Sequence, residues 1–347
     1  MSDPAARPYG PAPLPRARGP VPAAVLTAWR HPPHDLPDHL VPEPDDPLTD
    51  EDLHLTLFLC YELHYRGWVG VAEEWEWQPS LLALRARAER PFEAALRRLV
   101  GPLPTPSAAE LPAALAELTR ADHGPPLAAT LHRTATLEQF REFVVHRSIY
   151  HLKEADPHSW AIPRLGAPAK AALLEIQMDE YGGGRPERMH AELFRGTLDR
   201  LGLDSGYAAY LEAVPGVTLA TNNLISLFGL HRRWRGALVG HLAAFEMTSS
   251  LPNRRYGNGL RRLGLDGTAT RFYDEHVTAD AVHEQIAAHD LCGGLVRAEP
   301  DLAGDVLFGA AACLAVDGLL AGHLLDSWAA GGSSLRPTTG TALPLAA

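Results

Sequence analysis

From residue 49 to residue 328 the chain is written in helix-period segments, and no run of alternating β-branched residues competes with them. Without a strand pattern there is no sheet to bury against, so the fold is confined to helices packed on helices. "DEDLHLTLFLCYELHYRG" opens on an N-cap residue, Thr49 or Asp50, and then carries Leu53, Leu57, Cys60, Tyr61 and His64 on one side. Further helices are expected near 80–100, 107–121, 136–154, 166–181, 186–201, 206–213, 221–250, 268–289 and 301–328. "VPGVTLATNN" reads as a connection in which Asn222 or Asn223 caps the long helix after it. The proline-rich residues 1–48 read as a largely irregular arm or a surface strap, and 329–347 as a flexible tail. Neither a repeat nor an inner linker divides 49–328. The expectation is one all-α helical bundle with an N-terminal helical extension (49–135) ahead of a core (136–328).

Several function classes are excluded by composition. A formal net charge of −11 argues against non-specific nucleic-acid binding, which needs a dominant basic patch, and gives no attraction to an anionic membrane. No window holds 18 or more uninterrupted apolar residues, and "MSDPAARPYG" has no secretory h-region, so a cytoplasmic protein is expected. Cys60, Cys292 and Cys313 make no CxxC pair and read as reduced core thiols.

"EIQMDEYGGGRPERMHAELF", residues 175–194, has two helical ends and a middle that no plain helix would keep. An interior glycine costs about 1 kcal/mol relative to alanine and an interior proline about 3. Glu180 and His190 are ten residues apart, about 15 Å along an unbroken helix, too far to share an ion whose ligands lie about 2 Å from it. With the insert looped out, the pair approaches as in the Glu-x-x-His pairs of four-helix di-iron carboxylate proteins. The plainer alternative is two helices joined by a glycine-rich turn. "YDEHVTADAVHEQ" places His276, Asp280 and His283 within about 60° of one another on one helix face, either a solvated polar stripe or two imidazoles and a carboxylate suited to a divalent first-row metal. Glu154, at the end of "QFREFVVHRSIYHLKE", and Glu246, in the apolar "LVGHLAAFEM", are candidates for the further carboxylates such a site needs, each taken alone more often a solvated or salt-bridged acid; Glu175 and Asp179 compete less well, with no matching imidazole.

Together these stretches, with "HLKEADPHSWAIPRL", resemble the haem-oxygenase-like di-iron oxidases, also called iron-containing redox enzymes, over roughly residues 50–328 and most strongly over 140–290. The resemblance implies a haem-oxygenase-like bundle without haem. It implies a metal set of Glu154, Glu180, His190, Glu246, His276, Asp280 and His283 in the core segment, with Glu180 and Glu246 taking part in catalysis. The implied cofactors are two ferrous ions, with manganese as an alternative at one position, and O2 as co-substrate. The implied partners are a small-molecule substrate, an external electron donor and a second copy in a homodimer. N-oxygenation, desaturation and carbon–carbon cleavage are the reactions it brings with it. Arg232, Arg233, Arg235, Arg254 and Arg255 are candidates to hold a substrate carboxylate, or simply reach water. Two rival readings use the same bundle: a haem module with His54 or His64 below the porphyrin, and a non-catalytic helical partner protein.

Overall fold

The computed structural model describes residues 9–121 and 124–337, without the side chains of residues 279–281. Helices α1 (Pro20–Ala28), α2 (Glu51–Glu62), α3 (Pro79–Val100), α4 (Leu111–Ala121) and α5 (Leu127–Arg133) form the N-terminal part. They are followed by α6 (Leu137–His151), α7 (Asp156–Ser159), α8 (Ala167–Glu180), α9 (His190–Arg200), α10 (Gly216–Leu230), α11 (Arg235–Arg262), α12 (Gly267–Gln285), α13 (Gly293–Ala298) and α14 (Ala303–Ala329). Among the described residues there is no strand, and an isolated bridge pairs Ala12 with Trp68. The fold is the all-α, haem-oxygenase-like bundle that the helix-period pattern and the resemblance lead to.

The long helix α11 is the axis, with α12 along one side and α14 along another. At the α11–α14 crossing a Cβ on Gly240 would stand 1.9 Å from the Val306 carbonyl oxygen, and one on Gly309 would stand 1.9 Å from that of Ala237. Only glycine lets the two backbones touch there. Helix α14 is long and apolar enough to cross a membrane by length and composition, and 61% of that stretch is buried inside the fold. Helix α2 is buried from Leu53 to Glu62, as a helix apolar around its whole circumference must be. It supplies Leu55, Phe58 and Leu59 to one hydrophobic cluster and Leu53, Leu57 and Tyr61 to the other. Its cap is Asp50, whose carboxylate accepts from the Leu53 amide at 2.7 Å.

Several expected boundaries move, each for a local reason. The arm contains α1, which packs on α2, and Arg18 ties it down through Glu51 and the Val214 carbonyl. The tail begins docked: Ser334 is buried, and its hydroxyl meets Glu142 and His146; residues 338–347 lie outside the described ones. Residues 206–213 form turns instead of a helix, with Ala208 at φ 54° and the Tyr210 hydroxyl accepting from the Asp204 amide. The long helix expected at 221–250 is two. α10 starts at Gly216, inside the expected connection, and an extended His231 separates it from α11. Asn222 and Asn223 are therefore buried interior residues rather than caps, and Asn223 donates to the His54 carbonyl. After α12 the helix widens into a π-helical turn at Ile286–Cys292. All three cysteines are free and buried.

Candidate metal centre

Helix α8 stops at Glu180 and α9 starts at His190. Between them Gly182, Gly183 and Gly184 all take positive φ, and two 3-10 turns, Gly182–Gly184 and Pro186–Arg188, fold the chain back. A Cβ on Gly182 would lie 2.6 Å from the backbone of Arg188 and Met189. The turn is closed so tightly that Glu180 Oε2 and His190 Nδ1 stand 3.0 Å apart.

Two groups of donor atoms converge here, each within 4.8 Å: Glu154, Glu180, His190 and His276 in one, Glu180, Glu246 and His283 in the other. Glu180 is common to both. Glu154 comes from the turn after α6, Glu246 from α11, and His276 and His283 from positions two turns apart on α12. Four buried donor atoms, Glu154 Oε2, Glu180 Oε2, His190 Nδ1 and His283 Nδ1, have no hydrogen-bond partner. His190 Nδ1 and Glu180 Oε2, and His283 Nδ1 and Glu246 Oε2 at 3.3 Å, are ion-pair neighbours that miss hydrogen-bond geometry. Lone pairs that converge and stay unsatisfied inside a protein are costly unless a cation takes them. The mixture of imidazole and carboxylate suits iron or manganese, so the residues present fit the implied metals.

The surroundings fix the donors. His276 Nδ1 donates to the Phe272 carbonyl at 2.8 Å, which leaves Nε2 as the ligand nitrogen, 3.7 Å from Glu154. His283 Nε2 is held by Asp179 at 3.0 Å, leaving Nδ1 for the centre. His151 Nδ1 holds Glu154 at 2.8 Å. Burial alone would raise the Glu154 carboxyl, but His151 and His276 more than offset it and hold it below the usual carboxylate range. Burial likewise lowers His190 and His283, and their acids overrule it: Glu180 raises His190, while Glu246 and Asp179 push His283 up to about 9.

The centre opens on a cavity of about 160 Å³. Its walls follow one stripe of α6, Arg147, Tyr150 and His151, continued by Glu154 in the turn after it, and one of α11, Glu246, Ser249, Asn253 and Tyr256. Pro252 has no N–H to give the Thr248 carbonyl one turn back, so α11 loses a helical bond along this wall. Arg147 also lines the cavity, paired with Asp317 at 2.6 Å.

Six of the seven sequence-derived ligand candidates thus lie together; the side chain of Asp280, within α12, is outside the described residues. Glu175 is exposed and apart from the centre, whereas Asp179, ranked behind the other acids for want of an imidazole, holds one across the fold. His151 and His158 were not singled out; only their position one turn before and after Glu154 offered a signal. None of the five candidate arginines lines the cavity, and Arg233 and Arg235 pair with Glu93 and Glu299. Both ring nitrogens of His54 are engaged, by the Pro47 carbonyl and Asn223, and both of His64, by Glu76 and Arg85.

The family model for iron-containing redox enzymes matches residues 141–318, just over half of the chain and the stretch holding every one of these donors. A nitrosourea synthase of Streptomyces achromogenes subsp. streptozoticus is 30% identical over 152 residues. The match covers 43% of this chain and 32% of the relative, so the chain spans about a third of that protein's length.

Proposed function

The chain belongs to the iron-containing redox enzyme family, and from that premise we propose that it is a non-haem di-iron oxidase or oxygenase that uses O2 to oxidise a small, amino-acid-like metabolite. The observation that carries the reading is the pair of donor sets sharing Glu180, with four buried donor atoms that have no hydrogen-bond partner, at the wall of a cavity of about 160 Å³.

Glu154, Glu180, His190 and His276 would hold one metal and Glu180, Glu246 and His283 the other, with Asp280 as a further ligand proposed from its place in α12. Two ferrous ions bound there would supply the electrons that O2 takes up. The chain's own part is positional. Asp179, His151 and the Phe272 carbonyl hold three ligands in one orientation. Phe245 and Phe272 keep the cavity apolar beside the donors, which limits water. Arg147 uses one donor on Asp317 and has others for a substrate carboxylate, while Asp317 suits an ammonium group. Of the three reactions, oxidation at nitrogen is favoured, because a relative is named for making a nitrosourea. Three free, buried thiols support a cytoplasmic setting. An external electron donor completes the cycle, and a homodimer remains part of the proposal.

The test is anaerobic loading with ferrous iron, metal counting, and exposure to O2 in a stopped-flow spectrometer. About two irons per chain are expected, with at least one lost in His190→Ala and a transient visible absorption in the wild type only. Unchanged iron content in His190→Ala would defeat the assignment. The haem reading is disfavoured because neither His54 nor His64 has a ring nitrogen left for iron.

A further inference from the structure

Glu154 faces two spaces. It lines the cavity described above, and it also lines a second cavity of about 460 Å³ that reaches the glycine insert at Pro186 and Glu187. Among the described residues no other side chain is common to both, so Glu154 stands on the boundary between them. The second cavity lies directly behind one donor set. Lys153 precedes Glu154 and Asp156 follows it by two, Tyr181 comes after Glu180, and Met189 and Ala191 bracket His190; all five line it.

Its lining carries four carboxylates, Glu154, Asp156, Glu187 and Glu192, against two cations, Arg66 and Lys153. Part of this charge is already spent within the protein. Lys153 is cancelled by Glu62 at 3.0 Å, and Glu192 is taken by Arg195 and by the Tyr9 hydroxyl, each at 3.1 Å. Arg66 lies over the Tyr207 ring, 4.0 Å from its centroid, and is left to oppose three acids. Of these, Glu187 is exposed, and the arginine beside it, Arg188, pairs with Glu275 instead. Asp156 accepts from the Tyr181 hydroxyl on Oδ1 at 2.9 Å and has Oδ2 to offer. Glu154, with a side chain only 8% exposed, has no hydrogen-bond partner on Oε2.

We propose that this second cavity is the port through which a divalent metal ion reaches and leaves the centre, passed from Glu187 at the mouth to Asp156 and then to Glu154. The inference rests on the reading of the donor sets as a metal centre. Carboxylate oxygens replace the waters of a hydrated divalent ion one at a time, and acids at the mouth, the middle and the end keep an anionic partner beside the ion throughout, while the net negative lining draws cations in. Glu154 then has the donor atoms of Glu180, His190 and His276 within 4.8 Å to complete the transfer. The substrate cavity is the poorer way in: apart from the donors its acid is Asp317, which Arg147 holds at 2.6 Å. With two separate approaches, the ion exchanges without passing the substrate.

The test uses full-length, metal-free protein and Co(II) alone, whose visible bands report ligation by imidazole and carboxylate. Cys60, Cys292 and Cys313 are buried, so in Glu187→Cys a bulky maleimide goes to the introduced thiol. The adduct should slow binding of Co(II), and its release to a chelator, by one common factor, because a blocked path changes rates and not affinity. At low salt, Glu187→Gln combined with Asp156→Asn should slow binding about tenfold, and the difference should shrink in about 1 M salt, where screening acts beyond about 3 Å. Unchanged rates in the Glu187→Cys adduct, or slowing seen only when Ser249→Cys in the substrate cavity is labelled, would overturn the port and leave the centre standing. So would weaker affinity with an unchanged association rate in the double variant, since the acids would then hold the ion and not pass it. Wild-type protein that takes up no Co(II) would instead remove the metal assignment, and the port with it. Should Asp156→Asn not fold, the adduct on the exposed Glu187→Cys decides the matter.

Discussion

Two groups of buried acids lie on either side of the strand of chain that ends α6, and they are satisfied in opposite ways. Glu62, completely buried on α2, gives one oxygen to Lys153 at 3.0 Å and the other to the Tyr207 hydroxyl at 2.6 Å. Glu89 is likewise met by Tyr61 and by His231 at 2.9 Å. In these acids the protein supplies its own counter-charge. Next in sequence to Lys153, Glu154 has one oxygen held by His151 and the other without a hydrogen-bond partner, and Glu180 Oε2 across the gap has none either. A buried acid with a built-in cation stabilises the fold; buried acids whose lone pairs converge on a shared point require a cation from outside.

The sharpest way to break this contrast is Lys153→Met. It strands the Glu62 carboxylate in a fully buried site, and loss of one partner from a buried pair costs about 3–5 kcal/mol. Because Glu62 is outside both donor sets, the loss should be the same with and without iron in chemical unfolding. A loss seen in only one of these states would mean that the two regions are coupled. Glu180→Gln should behave in the opposite way. In metal-free protein it removes a charge that is not hydrogen-bonded at Oε2 but faces His190, so stability should fall only modestly. It should abolish the stabilisation that iron brings, about 3–4 kcal/mol at a hundred to a thousand times the dissociation constant. Retained stabilisation by iron would take Glu180 out of the centre.

The contrast also explains what could be read from the sequence. Helix content was legible because 3.6-residue periodicity survives burial, and the glycine insert was legible because its local cost demanded a reason. Glu62 and Glu154 are both glutamates at the end of an apolar helix, and nothing local separates them. What set Glu154 apart was the resemblance to the iron-containing redox enzymes, in which it falls in order with the stretches around His190, His276 and His283. Asp179 could not be ranked correctly, because its partner His283 is 104 residues away and only the packing of α8 near α12 joins them. The break at His231 was hidden for a similar reason: the residue leaves the helix to reach Glu89, 142 residues earlier.

Acidity separates the regions with a smaller effect. In the extension, burial pushes His54 down to about 4, with hydrogen bonds at Pro47 opposing it only in part. The unfolded chain takes up a proton near the ordinary value of 6.5, so the contribution of His54 is complete above that pH and is lost as pH falls toward 4. At pH 5 the loss is about 2 kcal/mol, and His54→Gln should remove that much of the acid slope. At the centre the sign is opposite. His283 is raised to about 9, so in metal-free protein its contribution is complete below about 6.5 and is lost as pH rises through 9. Iron in place of the proton should flatten the alkaline slope and steepen the acid one, because protons then compete with iron for its ligands. Melting temperatures across pH 4–9.5 for metal-free, iron-loaded and His54→Gln protein would show both slopes, and an alkaline slope that iron does not alter would place His283 outside the metal set.

The smallest expected change in stability bears most directly on why the helix is interrupted. Gly182 and Gly183 both hold positive φ, and an alanine there pays about 1–2 kcal/mol for the left-handed conformation. Their surroundings differ. Nothing lies within 4 Å of a Cβ on Gly183, whereas one on Gly182 meets the Arg188 and Met189 backbone at 2.6 Å. That backbone is rigid and leads straight into His190, so Gly182→Ala has to move the start of α9, and with it the imidazole that faces Glu180. Gly183→Ala should therefore lower stability by the conformational cost alone and leave ferrous affinity intact. Gly182→Ala should cost somewhat more and also weaken ferrous binding, as an anaerobic titration would read. Equal affinities in the two variants would mean that the turn only joins two helices, and that the approach of Glu180 to His190 is set by the packing of α9 against α12 instead.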